Sequence, residues 1–523
     1  DLDVSHLDPD KIWIGTIWFC ESGNLGANIE YIRGTRSLEM HADIQDIEVN
    51  GDEIWVASDG GINFSNDECW TVEIRNSGIG ASTYWGFGHG WNEDTWTGGR
   101  YHNGDAVYHE NFGAGNTMFM GGAETATGYI NPLDNRECHF SDITDKRTPD
   151  ALGQNSMNIA NFSMYPNESY GLLNSSEVEY DPRYSNHLYL GNEYQFYKST
   201  DGGGTFDLLY SFPSNTRVLE FEISRANPDI IYCLVRGVSS SIGTIYRSTD
   251  QGNSFTAVSA VPSTSLSRLD LSINPSNPDE LWVSSHYGVD GQKVYRTTDG
   301  GASWENVTTS TLDGHRVFDI LYQAGTDDRV YVATDYAVFY WDESISDWEI
   351  YADGLPFITR ALSFKPFYRD EKLRLSSGRG IWEADMAGAS LPIAQPMTET
   401  DTLLCDRDTV QFDCYSVLNH SGASWLWEFS PAPDYVSSLT ARNPKVVFGS
   451  EGSYDVTLTV TDEFCDWEIV LNETVEVLEA NVNAVISADV TEGCAPLDVN
   501  FSSAGSTGIN PIWYFGNGES VQD

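Results

Sequence analysis

Ser199-Thr200-Asp201-Gly202-Gly203-Gly204-Thr205-Phe206 returns as Ser248-Thr249-Asp250-Gln251-Gly252-Asn253-Ser254-Phe255, and again as Thr297-Thr298-Asp299-Gly300-Gly301-Ala302-Ser303-Trp304. Asp201, Asp250 and Asp299 are 49 residues apart, twice over, and a fixed period of that size marks a solenoid or a propeller. The shared frame, Ser/Thr-x-Asp-x-Gly-x-Ser/Thr-aromatic, makes chemical sense as a hairpin turn. The Asp carboxylate accepts backbone N–H groups across the turn, and Gly203, Gly252 and Gly301 supply positive φ. Phe206, Phe255 and Trp304 are apolar anchors beneath it.

Working outward, a two-strand unit recurs from residue 1, its second strand centred on an aromatic. The clearest copies are Lys11-Ile-Trp13-Ile-Gly15, Glu53-Ile-Trp55-Val-Ala57, Asp94-Thr-Trp96-Thr-Gly98, Ile230-Ile-Tyr232-Cys-Leu234 and Glu280-Leu-Trp282-Val-Ser284. With Glu137–Ser141, His187–Gly191, Arg329–Ala333 and Lys372–Ser376 they make nine units averaging about 45 residues, the length of a four-stranded propeller blade. Two degenerate turns, Ser65-Asn66-Asp67-Glu68-Cys69-Trp70 and the stretch from Trp341-Asp342 to Asp347-Trp348, fall in step with them.

The octamers resemble the Asp-box (BNR) repeats of sialidase-like β-propellers, in which the box is structural and lies away from the ligand face. The expected fold is therefore all-β, a multi-bladed propeller over residues 1–386 with about nine blade repeats. The array ends at Ser377-Gly378-Arg379-Gly380-Ile381-Trp382-Glu383, which resembles the last-blade ending of Bacteroidota secreted propeller proteins and supplies only a third strand. Because the chain opens on a first strand, further residues are expected before Asp1. One large ring, or a ring of seven with two blades belonging to an upstream propeller, both fit.

Residues 387–400 read as a linker. Beyond it, Cys405-Asp-Arg-Asp-Thr-Val-Gln-Phe412 parallels Cys494-Ala-Pro-Leu-Asp-Val-Asn-Phe501, and Trp427-Glu-Phe429 parallels Trp513-Tyr-Phe515-Gly-Asn-Gly518. Gly452-Ser-Tyr454-Asp-Val-Thr-Leu-Thr-Val460 alternates like a half-buried strand. These segments resemble PKD domains, β-sandwich modules, one expected over residues 401–479 and a second, truncated, over residues 480–523. A Cys405–Cys465 disulfide is expected to staple the first sandwich, with Cys414 as the rival partner and the partner of Cys494 beyond Asp523. Cys20, Cys69, Cys138 and Cys233 lie in different blades, where buried free thiols are at least as reasonable.

The balance of 28 basic against 78 acidic residues gives a formal net charge of −50. Phosphate binding needs a basic surface, so nucleic acid is excluded as a partner, and anionic membrane with it. The acid excess serves solubility or divalent-cation binding. Ca²⁺ is the ion it leaves open, though no Asp-x-Asn-x-Asp-Gly loop is present and no metal or cofactor is expected. No apolar run is long enough to span a membrane. No Cys-x-x-Cys marks a zinc or redox site, and the first residues, Asp1-Leu2-Asp3, are not a signal peptide.

The stretch richest in candidate ligand groups is Tyr84 to His109, and Trp85, His89, Trp91, Arg100, His102 and Asp105 are the residues expected to bind. Aromatics beside Arg and carboxylates suit carbohydrate; the competing reading makes the same aromatics inter-blade core. Gly98-Gly99-Arg100-Tyr101-His102-Asn103-Gly104 resembles a Gly-Gly-Thr-Gln-Asp-Asn-Gly segment of related propellers. His41-Ala-Asp43-Ile-Gln45 with Ser58-Asp59-Gly60-Gly61 is a second constellation able to hold a metal or cap a turn. The sialidase template of three arginines, Tyr, Glu and Asp fits poorly, and a carboxylate pair of the xyloglucanase type has no sequence mark. The resulting expectation is a secreted or cell-surface, non-catalytic protein that binds a glycan or a surface protein. In it PKD-like modules act as spacers within a longer chain, exported by resemblance through the type IX pathway. A glycoside hydrolase and a structural scaffold within a large adhesin or appendage are the rivals.

Overall fold

The computed structural model describes residues 1–32, 40–79, 82–84, 86–122, 128–140, 145–159, 176–239, 243–263, 268–342, 344–345, 347–356, 358–403, 409–463, 466–478, 485–493, 496–506, 512–514 and 520–522. Among the described residues from Leu2 to Asp385 there are nine successive antiparallel sheets, each with its strands in sequence order. The first eight have four strands; the ninth has three, Ala361–Phe367, Lys372–Ser377 and Gly380–Asp385. The nine recurring segments are the second strands of these sheets. Several, such as Leu188–Asn192 and Val330–Thr334, are buried almost end to end, because neighbouring sheets pack on both of their faces. Such strands read as continuous apolar runs.

The innermost strands behave differently. In Thr216–Ile223, Val218, Phe221 and Ile223 are buried between sheets, while Glu220 and Glu222 alternate to the other side and line a central channel. The third to ninth sheets surround that channel. The ninth closes on the third: Ala361–Phe367 lies beside Gly88–His89, Tyr84 N–H donates to the Ser377 carbonyl at 3.0 Å, and Arg374 ion-pairs with Asp94 at 2.5 Å. The first two sheets pack on each other and reach the third through the turn at His102 and Asn103.

Each octamer joins a third strand to a fourth. In the second copy, Ser248 Oγ donates to Asp250 Oδ1 at 2.8 Å and accepts from Gly252 N–H at 2.9 Å. Ser254 donates its N–H to Asp250 Oδ1 and its hydroxyl to Oδ2, at 2.8 and 2.6 Å. The other two copies repeat this network through Asp201 and Asp299. So does Asp67, which extends the degenerate turn beyond Trp70: Thr71 supplies the closing N–H and hydroxyl, and Cys69 takes the glycine place at φ +60°. The glycine also permits close packing. A Cβ at Gly301, where φ is +86°, would lie 2.7 Å from Val258 Cβ of the preceding sheet. The closing aromatics lock backwards too: Phe255 packs on Phe196, Tyr210 and Phe212, and Trp304 Nε1 donates to the Ser259 carbonyl at 2.9 Å.

After the ninth sheet come two facing four-stranded sheets, a β-sandwich. One is built on Thr409–Cys414 and Lys445–Val447, the other on Ser424–Ser430, Gly452–Thr461 and Asp466–Val477. Trp427, Phe412, Tyr454, Leu458 and Val460 fill the space between them. The expected linker is shorter than 387–400. Pro396–Thr398 pairs with Thr409–Cys414 as an edge strand, with Met397 and Thr398 buried and the proline at the strand's first residue, where it costs no ladder bond. Cys405 and Cys465 lie outside the described residues. Cys414 is a buried free thiol, as are Cys138 and Cys233, while Cys20 is a half-buried one. Beyond Val477, two short two-stranded sheets are formed within residues 487–522.

Candidate functional site

The channel is built from the innermost strands, and its carboxylates have a structural task. Each accepts a backbone N–H from the innermost strand of the next sheet. Leu271 N–H donates to Glu220 at 3.0 Å, Ile320 to Asp270 at 2.7 Å and Phe364 to Asp319 at 2.5 Å. One step along the channel, Ile223 donates to Glu179 at 3.0 Å and Ile273 to Glu222 at 2.7 Å. The same rungs join the first sheet to the second, Asp1 to Ile47 and Asp3 to Val49. Innermost strands in a ring do not pair directly, so a buried N–H needs such a partner. Enclosure in the channel raises these carboxyls by desolvation, Glu179 and Glu220 to about 8 and Glu222, Asp270 and Asp319 well above their ordinary range. Asp270 also shares hydrogen bonds with Glu220 and Asp319. Lys365, 3.9 Å from Glu177, lies among them.

The two ends of the channel differ. The turns between first and second strands lie at the same end as the octamers: Gln251 N–H donates to the Asp229 carbonyl and Gly300 N–H to that of Asp279. The sandwich docks on this end. Trp91 Nε1 donates to the Ser416 carbonyl at 2.9 Å, and its ring meets Tyr415 at 4.5 Å and Tyr368 at 5.5 Å. Arg225 stacks on Trp91 and Tyr415 and donates to the Tyr415 carbonyl. Across the seam Ser185 N–H donates to the Thr398 carbonyl and Thr398 N–H to that of Arg183, and Tyr184 donates to the Thr474 carbonyl. A cavity of about 300 Å³ remains between His89, Tyr129, Glu179, Arg225 and Tyr415. Burial and the nearby Arg374 and Lys365 hold His89 well below the usual imidazole range.

At the opposite end, arginines stand at one structural position in four successive sheets. Arg268, Arg316 and Arg360 immediately precede the innermost strands that begin at Leu269, Val317 and Ala361, and Arg217 is the second residue of Thr216–Ile223. Arg236 is the cross-strand partner of Arg217. The group is close enough to interact. Burial, then Arg217 and Arg268, lowers Arg236 below the usual guanidinium value; burial, then Arg268 and Arg316, lowers Arg360, with Asp335 pulling the other way. His286 sits among them, 6% exposed, with no hydrogen-bond partner at Nδ1. Its ring is 4.3 Å from that of Tyr287 and 4.6 Å from that of Phe318. Desolvation and the charges of Arg268, Arg316 and Arg360 depress it to about 3, so it is neutral at physiological pH. Arg316 lies 5.9 Å over the half-exposed Tyr287. Among the described residues no ion pair joins Arg268 or Arg316 to a carboxylate. Arg268 and Phe318 open onto a neck of about 190 Å³ that leads to Glu220, Asp270 and Asp319.

The six residues singled out from sequence are not gathered at one place. Trp85 lies outside the described residues. His89 and Trp91 are at the sandwich end. Arg100 folds onto its own turn, donating to the Gly104 and Asn103 carbonyls, and Asp105 is wholly buried in the third sheet. His102, in the same turn as Arg100, bonds through Nδ1 to Asp59. With Asp43 these two place their donor atoms within 4.8 Å of one another. The imidazole of that group is therefore His102 and not His41, which turns to the Ala42 carbonyl at 3.0 Å. Gln45 Nε2 donates to Asp59 at 2.8 Å. The arginines of the open end escaped the sequence reading, although their spacing from Arg217 to Arg360 follows the repeat.

Residues 194–337 match the family model described as Sortilin, neurotensin receptor 3 (Sortilin-Vps10). No curated protein matches the chain. Among solved structures it is similar to the extracellular domain of the putative one-component system BT4673 from B. thetaiotaomicron, at 12% identity over 92% of this chain and 69% of that one, TM-score 0.42. The GH74 enzyme of Niastella koreensis is similar at 14% identity over 86% and 74%, TM-score 0.33. YCF48 from Cyanidioschyzon merolae is similar at 12% identity over 54% and 97%, TM-score 0.31. The meander sheets around a channel and the family-model match agree on a β-propeller.

Proposed function

We propose that this chain is a non-catalytic binding module of a secreted or cell-surface protein. In this reading the third to ninth sheets are a seven-bladed Asp-box ring, the first two belong with a neighbouring ring, and the PKD-like sandwiches are spacers. The ligand enters at the channel mouth opposite the sandwich. The observation that carries the proposal is the asymmetry of the channel: the sandwich covers the octamer end, while the far end presents Arg316, Arg360 and Tyr287 to solvent.

Hydrolysis is disfavoured by how the channel carboxylates are used. A glycosidase needs one carboxyl poised as acid and a second as base or nucleophile, both facing the bond to be cut. Here Glu220, Asp270 and Asp319 hold the next sheet's backbone and one another. Among the described residues no helix is long and apolar enough to cross a membrane, in keeping with a module carried by a longer exported chain. Glycan-array binding combined with assays for reducing-sugar release tests the reading. Binding without turnover is expected, and turnover abolished by an Asp→Asn change in the channel would defeat it.

A further inference from the structure

We infer that Asp43, Asp59 and His102 hold a divalent transition-metal cation such as Zn²⁺, which ties the first two sheets to the third. Asp43 immediately precedes the first strand of the second sheet, and Asp59 lies in the turn between that sheet's second and third strands. His102 comes from the turn between Thr95–Arg100 and Gly104–His109 of the third sheet. Two carboxylate oxygens and one imidazole nitrogen thus lie within 4.8 Å of one another, on side chains that are all half-buried and open to entry from solvent. None of the three lines the channel cavities, so the site does not depend on which mouth takes a ligand.

Asp43 is held by its backbone and not by its side chain. Its N–H donates to the Ile17 carbonyl of the first sheet at 2.8 Å, and its carbonyl accepts the Asp59 N–H at 3.2 Å. Among the described residues its carboxylate makes no hydrogen bond or ion pair, although Asp59 lies beside it. Two carboxylates this close repel unless a cation stands between them. Asp59 is oriented from outside the group: Gln45 Nε2 donates to its Oδ1 at 2.8 Å, and its Oδ2 meets His102 Nδ1. Such outer contacts fix a ligating carboxylate. Asn103 Nδ2 donates to the Asp59 carbonyl at 2.7 Å, holding the His102 turn against the second sheet, and Tyr101 stacks on the imidazole with ring centroids 3.8 Å apart. Asp43 and His102 both have φ +59°, a left-handed backbone that few residues other than glycine adopt. Two side-chain donors therefore stand where glycine is easier.

The donor set selects the ion. One imidazole with two carboxylates suits Zn²⁺ and its first-row neighbours, whereas Ca²⁺ and Mg²⁺ take oxygen ligands. Nitrogen and oxygen ligands sit about 2 Å from Zn²⁺, so closing the three onto one ion is a matter of side-chain rotation. With its hydrogen on Nε2, a neutral His102 presents Nδ1 as the ligand, and the ion takes the place of the hydrogen now between Nδ1 and Asp59. The two carboxylates balance the charge of the ion, and water completes its coordination. A chain of net charge −50 also concentrates cations at its surface. The consequence is mechanical. The ion joins a turn of the third sheet to the second, beside the contact of Asp43 with the first, and stiffens the connection between the two-sheet unit and the ring.

The test is titration calorimetry on the full chain, first stripped with a chelator, with Zn²⁺ and Ca²⁺ as separate probes at about pH 7.5, above the ordinary imidazole value. One equivalent of Zn²⁺ is expected to bind, with Ca²⁺ at least tenfold weaker. Asp43→Asn and His102→Asn should each weaken Zn²⁺ binding at least tenfold. Asparagine accepts the left-handed backbone at both positions, and the Asp43 carboxylate bonds nothing in the chain, so Asp43→Asn keeps the melting temperature of the metal-free protein. Zn²⁺ should raise the melting temperature of the unmodified chain and slow limited proteolysis between the second and third sheets, and should do neither in the variants. Equal uptake of Zn²⁺ by both variants, no uptake by the unmodified chain, or a preference for Ca²⁺ overturns the inference. Uptake that leaves melting and proteolysis of the unmodified chain unchanged overturns the tie between the sheets. Each of these outcomes leaves the binding-module reading standing.

Discussion

Both ends of the channel carry arginine beside aromatic rings, yet the two arrangements do opposite things. At the covered end Arg225 is fully engaged, stacked on Trp91 and Tyr415 and donating to a carbonyl. At the open end Arg268 and Arg316 crowd other arginines, and a buried His286 keeps an unmatched nitrogen. The same residue types thus make a joint in one place and a receptive surface in the other. Composition alone does not separate them; what separates them is whether each donor already has its acceptor.

The largest effect that would sharpen this contrast is expected from Trp91→Ala. The change removes an indole packed against Tyr368, Tyr415 and Arg225, a loss of about 3 kcal/mol for a large aromatic. Calorimetry should show the sandwich melting apart from the ring, and limited proteolysis should cut near residue 390, while ligand binding at the open mouth stays as it was. Lost binding with an unchanged melt would place the ligand at the covered end instead.

A smaller effect is expected from pH. Glu179 and Glu220 titrate near 8 in the folded chain and near 4.3 when unfolded. The native state therefore holds more protons between those values, and the stability they contribute is complete below the lower one and is lost as pH rises through 8. Melting temperature should fall by several degrees between pH 5 and pH 9, and Glu220→Gln should flatten the slope. A rising or level profile in the unmodified chain would show that these carboxyls are ionised and that the neck is a cation site. The smallest effect is expected at the octamers. Asp250→Ala deletes the bonds from Ser248 and Ser254, worth about 1 kcal/mol, and should lower the melting temperature by a few degrees with binding intact; weakened binding would tie the octamer end to the ligand.

Much of the architecture was legible because it repeats. The octamers and the buried second strands recur in step, and each copy reports the same local chemistry. The degenerate Asp67 turn was read only as far as Trp70, since Cys69 holds the place that glycine marks elsewhere and Thr71 closes the network. The open mouth was missed for a different reason. The aromatics that mark the repeat lie in the second strands, whereas the arginines stand at the start of the first. Set against the channel acids, Arg217 with Glu220, Arg268 with Asp270 and Arg316 with Asp319 share a frame that differs by one residue, because two of the strands carry a bulge there and the third does not. The meeting of His102 with Asp59, 43 residues apart and on different sheets, leaves no mark in either local sequence.

The carboxylate rungs give the array a direction. From the fifth sheet to the ninth, each sheet carries an acceptor for its successor or a donor for its predecessor, like a tile with a tongue on one edge and a groove on the other. A duplicated unit therefore arrives already fitted to both neighbours, and the array grows by copying without any new joint having to be invented. Removing an internal unit leaves matching edges to be rejoined, whereas reversing one sets groove against groove and strands buried N–H groups on both sides.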